Sequence, residues 1–242
     1  MKKKSFKKTA ALLLFLAGAA VMLFLAGAAV MLYPVASDWV NRRNQSRAAA
    51  SYSGAVEALD PADYEKMLSD ARRHNEKLAG AGSLAAALDM EKEDGFQTYH
   101  SLLDVERDGV MGVIRIPKIR VEIPIYHTTD EGVLQVGIGH FAGSSLPVGG
   151  TDTHCILSGH RGLPSARLFT DLDQLEEGDL FYIDVLKETL AYEVDRIDVV
   201  LPQEAEGLDV IEGGDYVTLV TCTPYGVNTH RLLVRGARMD RG

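Results

Sequence analysis

Three residues in the C-terminal half of this chain, Cys222, His160 and Arg231, are of the types that together carry out acyl transfer through a thiol. A cysteine is a weak nucleophile until it becomes a thiolate, a form that nearby positive charge favours. A histidine, with an ordinary pKa near 6.5, both gives and takes a proton at neutral pH. An arginine keeps its charge and so can hold a developing oxyanion throughout a reaction. On spacing alone, a cysteine packed as a small hydrophobe is the competing reading.

The local pattern supplies a way to bring the three together. Tyr216-Val-Thr-Leu-Val-Thr-Cys222 alternates as a strand does, Pro224 and Gly226 then take the chain out of the sheet, and Arg231 opens a returning strand. Cys155-Ile-Leu-Ser-Gly-His160 reads as a further strand that ends in the histidine. Gly112 to Ile116 and Val121 to Ile125 flank Pro117-Lys118, and Phe181 to Val185 and Thr189 to Val200 flank Leu186 to Glu188. Many short strands with few helices between them predict a closed or nearly closed β-barrel. Pro124 marks an edge or a bulge, and a short helical turn is expected around Ala166 to Thr170. Upstream, Ser37 to about Leu78 has a helical pattern. Asp60 is placed as an N-cap before Pro61, and Tyr64, Met67, Leu68, Ala71, Asn75 and Leu78 form a packing stripe. Gly80-Ala-Gly82-Ser83 breaks that helix, and Ser83 to Tyr99 is a weakly patterned connector.

Composition bounds the function. The net charge of -9 excludes nucleic acid as a partner, because phosphate neutralisation demands a basic face. Two cysteines cannot make a disulfide framework, no cluster has zinc-ligand spacing, and neither a metal nor any other cofactor is expected. Lys2, Lys3, Lys4, Lys7 and Lys8 precede an uncharged run from Ala10 to Tyr33 that contains a tandem copy of Leu-Phe-Leu-Ala-Gly-Ala-Ala-Val-Met. A cytoplasmic tail (1–9) followed by a membrane-spanning anchor (10–33) is expected, with the rest of the chain outside the cell. A cleaved signal peptide ending near Val35-Ala36-Ser37 is the alternative, although its apolar core should be only about 7–15 residues long.

Thr218-Leu-Val-Thr-Cys222 with Arg231 beyond it, and Leu157-Ser-Gly-His160-Arg-Gly before it, resemble the signature of the sortases, cysteine transpeptidases of Gram-positive cell surfaces. Gly112 to Ile119, Pro124 to His127, Ser145 to Gly150, His160 to Ser165 and Cys222 to Gly226 resemble the class C, pilus-assembling branch in particular. The resemblance covers roughly Gly109 to Arg238. It implies an eight-stranded sortase-type β-barrel over residues 109–239, behind a helical linker and lid-like region over 34–108. It further implies that Cys222 attacks the Thr–Gly bond of an LPXTG-like motif on a pilin or surface protein, that His160 protonates the leaving amine, and that Arg231 holds the oxyanion. A pilin lysine amine would resolve the thioacyl enzyme. A housekeeping sortase using a cell-wall precursor amine, and a non-catalytic module that binds sorting peptides, are the alternatives. Thr221 either supports the site through its hydroxyl or backbone, as a substrate-binding residue, or is a plain strand residue.

His127, His140 and His154 are expected in barrel packing or surface hydrogen bonds, His230 on the strand face turned away from the site, and Asp171 and Asp173 as solvated or capping carboxylates. Cys155 reads as a core residue. Five residues of strand, about 16 Å, separate it from His160, so a Cys155–Cys222 disulfide would pull the histidine away from the thiol. Class C sortases usually carry an Asp-Pro-aromatic lid motif, which Gly80 to Phe96 lacks; Asp60-Pro61 is followed by Ala62. A loosely held cover is therefore expected, with Leu84 or Leu88 making the contact.

Overall fold

The structure, a computed structural model, describes residues 2–204 and 207–239; the side chains of residues 2–12 and 14, and with them the lysine cluster near the N-terminus, lie outside that description. Eight strands follow four helices. They are β1 (Val110–Ile116), β2 (Val121–His127), β3 (Ile138–His140), β4 (Thr153–Ser158), β5 (Leu180–Val185), β6 (Glu188–Val200), β7 (Asp215–Thr223) and β8 (His230–Arg238). They close into a barrel in the order β1-β2-β3-β4-β7-β8-β6-β5. The β2–β3 and β4–β7 pairs are parallel and the others antiparallel.

The strand alternation sorts side chains between the barrel interior and its outer face. Val217 and Leu219 on β7, Cys155 and Leu157 on β4, and Leu232 and Val234 on β8 belong to the buried core. Phe181 and Tyr192 stack within it at 5.5 Å between ring centroids, a pairing worth about 0.5–1.5 kcal/mol beyond the area it buries. Pro124 sits opposite Val113, one place before the parallel ladder with β3 begins at Ile125, so its missing N–H leaves no ladder bond open. Strand β3 gives no signal in the sequence because three residues are too few for a period. No helix forms over 166–170; a single 3-10 turn follows at Leu172–Gln174.

Four helices precede the barrel, and a short fifth, α5 (Glu131–Leu134), lies between β2 and β3. The first, α1 (Lys2–Ala58), runs unbroken through Pro34 from the apolar segment into the folded domain. It is the one described helix long and apolar enough to cross a membrane. Its C-terminal part lies on the barrel through buried Ala49, Tyr52 and Val56. The Tyr52 hydroxyl donates to Met111 O and accepts from the Leu186 N–H. Helix α2 (Pro61–Ala79) is N-capped by Asp60, as its sequence predicts, and the stripe residues Leu68, Ala71, Asn75 and Leu78 are buried. The Asn75 side chain bonds both the N–H and the C=O of Leu146, which pins α2 to the segment between β3 and β4.

The weakly patterned connector is two helices, α3 (Leu84–Glu93) and α4 (Gln97–Ser101). From α4, Tyr99 enters the core between His127 and His140, which are register partners on β2 and β3. Its hydroxyl lies 2.9 Å from His140 Nδ1 and accepts from the Thr128 N–H.

Four buried histidines follow from this packing. Burial pushes His74 down to about 4 and His140 down to about 3, and lowers His127 and His154 as well. Each is held neutral in the folded state while the unfolded chain takes up the proton near its ordinary value. Below pH about 6.5 the unfolded state therefore binds more protons, and stability is lost as the pH falls toward the folded values. Glu91 and Asp215, both raised by burial, bind protons first in the folded state and offset part of this loss. We expect stability to drop by about 2–4 kcal/mol between pH 7 and pH 5, at roughly 1.36 kcal/mol per unit for each fully shifted group. Equal urea midpoints at the two pH values would contradict it.

Candidate active site

The outer face of the barrel wall formed by β4, β7 and β8 carries the three candidate residues, with His160 just past the end of β4. Cys222 on β7 is the direct register partner of Arg231 on β8, so the two side chains stand next to each other on one face. On the other side, β4 runs parallel to β7 with Ser158 opposite Val220. The Gly159 N–H donates to Val220 O and the Thr221 hydroxyl donates to Gly159 O at 2.7 Å. The pairing thus continues past the end of β4 and sets His160 level with Cys222. Gly159 itself is required by close approach, since a Cβ there would lie 2.7 Å from both Ile138 Cδ1 and the Phe169 ring.

The three groups differ in what holds them. The Arg231 guanidinium donates Nη1 to the carbonyls of His230 and Asn228 and, among the described residues, has no carboxylate partner, so its charge is available to a ligand. His160 Nε2 is buried without a hydrogen bond, 3.7 Å from Glu131 Oε1 at the start of α5. Cys222 is partly exposed. Cys155 is the opposite case: it lies in the core, burial pushes its thiol well up, and its register partner Val217 is five residues from Cys222 along β7. Both cysteines are free.

Beside Arg231 lies a groove of about 380 Å³ with Ile156, Val220 and Leu233 on its floor, Leu201 and Pro202 on one wall and Leu84 at its edge. An apolar trough that ends at Arg231, whose register partner is Cys222, can seat an extended peptide next to the thiol. Helix α3 covers one end of it. Ser83 caps this helix, the Asp209 carboxylate accepts from the Leu84 N–H at 2.7 Å, and Gly143 lets Leu88 approach so closely that a Cβ there would lie 2.8 Å from Leu88 Cα. The cover is therefore anchored through backbone and polar contacts that need no aromatic side chain. Leu84 borders the groove; Leu88 packs against the Gly143 segment behind it.

Of the other candidates, Thr221 is buried on the inward face, away from Cys222, and touches the site only through its bond to Gly159. His154 bonds Asp209 O and the Thr218 hydroxyl, and His230 lies against the Thr229 hydroxyl. Asp173 and Asp171 are ion-paired, to Arg161 and Arg167 respectively. Sequence reasoning missed two neighbours of the site. Arg161, almost fully buried, reaches from the His160 loop to Asp173 and to the Thr223 hydroxyl, and lies over the Tyr225 ring, so it ties together the loops that follow β4 and β7. Its place directly after His160 was the available signal. Glu131 had none, because only the parallel crossover from β2 to β3 brings it to the histidine.

Thr221→Val should lower stability by about 1–2 kcal/mol in a urea titration, because it leaves the Gly159 carbonyl unpaired. Thr221→Ser should restore most of it; failure of serine to do so would show that the methyl group, not the hydroxyl, matters.

Comparison with known proteins places the chain in a family. Residues 114–239, more than half of the chain, match the Sortase domain family. The chain is 28% identical over 131 residues to Sortase D of Bacillus subtilis (strain 168), an overlap that takes in 53% of this chain and 63% of that protein. Among solved structures, sortase C1 from Streptococcus agalactiae is 46% identical with a TM-score of 0.73, over 81% of this chain and 100% of that one. Sortase C of Streptococcus pneumoniae, whose structure was described in relation to pilin substrate specificity, is 36% identical with a TM-score of 0.68, over 81% and 97% of the two chains.

Proposed function

The chain belongs to the sortase family, and from that premise we propose that it is a membrane-anchored cysteine transpeptidase that polymerises pilins. The observation that carries the reading is the pairing of Cys222 with Arg231 across β7 and β8, with His160 at the same level on the strand beyond. The likeness to sortase C structures supports the pilin assignment.

In this reading the motif of an LPXTG-like substrate lies in the groove with its threonine carbonyl at Cys222. The thiolate adds to that carbonyl, and the oxyanion forms beside Arg231, whose charge no carboxylate has already neutralised. Collapse of the adduct breaks the Thr–Gly bond; the glycine nitrogen leaves with a proton from His160, and a thioester remains on Cys222. The ε-amine of a pilin lysine then adds to the thioester and gives up a proton to His160. Expulsion of the thiolate completes an isopeptide bond and regenerates the site. Glu131 supports both half-reactions by facing the imidazole when it is charged. The apolar part of α1 anchors the enzyme, with the barrel outside the cell.

Incubating the chain with an LPXTG peptide and either a pilin domain or a cell-wall precursor amine, followed by mass spectrometry, tests the reading and separates the two acceptors. We expect Cys222→Ala to abolish both adduct and product, and His160→Ala and Arg231→Ala to lower turnover by about 10² or more. Cys155→Ala should leave turnover nearly intact. If Cys155→Ala were as inactive as Cys222→Ala, the assignment of one nucleophile and one core thiol would fail.

A further inference from the structure

We propose that the end of the barrel carrying Cys222, His160 and Arg231 rests on the membrane surface, with Tyr225 and Val227 in the lipid headgroup layer beside α1. The inference builds on the anchoring role of α1 proposed above and adds where the barrel sits relative to the bilayer.

Helix α1 fixes the geometry because the apolar run and the barrel-bound part are one element. Where α1 leaves the apolar run it bonds the loop that follows His160. Ser37 donates to Pro164 O, Asn41 Nδ2 to Ser165 O, and Asp38 accepts from the Arg167 N–H. One turn further on, Gln45 donates to Val136 O, in the loop that leads from α5 into β3. Ser37 lies four residues past Tyr33, about 6 Å at 1.5 Å per residue. The polar layer on each side of a bilayer is roughly 5–8 Å deep, so the His160 loop stands at headgroup depth.

The side chains at this end suit that depth. Pro34 and Val35 share a cavity of about 360 Å³ with Leu163, Pro164 and Tyr225, which sets the tip of the β7–β8 loop level with the last turn of the apolar run. Tyr225 is 60% exposed and Val227 64%, and Trp39 on α1 is exposed as well. Tyrosine and tryptophan favour the boundary between hydrocarbon and water because one end of each ring system is apolar and the other forms hydrogen bonds.

Charge is distributed the same way. The whole chain carries a net -9, yet residues 34–47, 159–173 and 223–231 contain six arginines against three carboxylates, Asp38, Asp171 and Asp173. Arg42, Arg161 and Arg167 are ion-paired. Arg43, which lies over the Trp39 ring, and Arg47 and Arg231 have no carboxylate partner among the described residues. An acidic protein that turns its arginine-rich end toward its own anchor presents a surface complementary to anionic lipid. Such a placement opens the thiol at the bilayer surface.

The test uses the full chain in phosphatidylcholine and phosphatidylglycerol vesicles, with and without lipids brominated near the headgroup. Trp39 is the sole tryptophan, so Trp39→Phe provides a silent background. In that background Tyr225→Trp should lose emission on brominated vesicles. Glu212→Trp, in the exposed turn at the opposite end of β7, should not. Val227→Trp serves as the independent probe of the same loop should the first variant misfold. Equal emission at both ends overturns the proposal. So does a probe at position 225 that is shielded from aqueous quencher yet untouched by bromine, which would place a second copy of the chain over the loop. Flotation separates the two readings: a chain that fails to float with vesicles refutes the anchor, whereas one that floats with an unquenched loop refutes only this orientation.

Discussion

The register of β7 between its two neighbours is the constraint on which the active site depends. Antiparallel pairing with β8 puts Cys222 opposite Arg231, and parallel pairing with β4 carries His160 to the same level. A slip of one residue in either ladder would turn a reactive side chain to the opposite face. What resists the slip is the core: Val217, Leu219, Leu157 and Val234 are fully buried, and whichever strand slipped would turn its own core residues outward. The chemistry and the hydrophobic core therefore share one alternating pattern, with inward positions holding the barrel and outward positions holding the groove.

The helical region in front of the barrel packs on it through buried apolar residues and is oriented by polar contacts to backbone. Asn75 grips Leu146, Asp209 accepts from the first N–H of α3, Tyr99 bonds Thr128 and lies against His140, and Tyr52 joins α1 to β1 and to the turn after β5. Such bonds fix orientation, since a buried donor or acceptor left unpaired costs about 1–3 kcal/mol. At the cover over the groove, the Asp209 bond to the Leu84 N–H stands where an aromatic anchor would otherwise be needed. The same kind of bond explains why so many histidines lie inside: each ring nitrogen that faces a carbonyl or hydroxyl makes burial of a neutral imidazole tolerable. His74 and Glu91 are the exception, a buried pair 3.6 Å apart that joins α2 to α3 and leaves one nitrogen and one oxygen without hydrogen bonds.

Continuity of α1 gives the molecule a direction. Because the apolar run, the hydrogen bonds to the His160 loop and the packing on β1 and β2 belong to one helix, the end of the barrel that carries Cys222 and the apolar run cannot be positioned independently. The arginine-rich loops at this end then read as part of the same design, although each looks unremarkable in its own segment.

The sequence by itself determined the parts whose signal is local. The alternation of β7 and β8, the Asp60 cap, the uncharged run from Ala10 to Tyr33 and the pairing of chemistry with strand ends were all legible, because period, capping and hydropathy act over a few residues. The run of short strands predicted a closed barrel, and the resemblance supplied the count of eight. Tertiary structure alone decided the rest. Helices α3 and α4 lack a strong period because their stability comes from Asp209, Gly143 and the histidine pair around Tyr99, residues distant in sequence. Thr221 could be read from its position as a substrate contact, yet the pleat turns it inward, where it holds Gly159. Glu131 meets His160 only because β2 and β3 run parallel, and a parallel connection joins points that no local pattern relates.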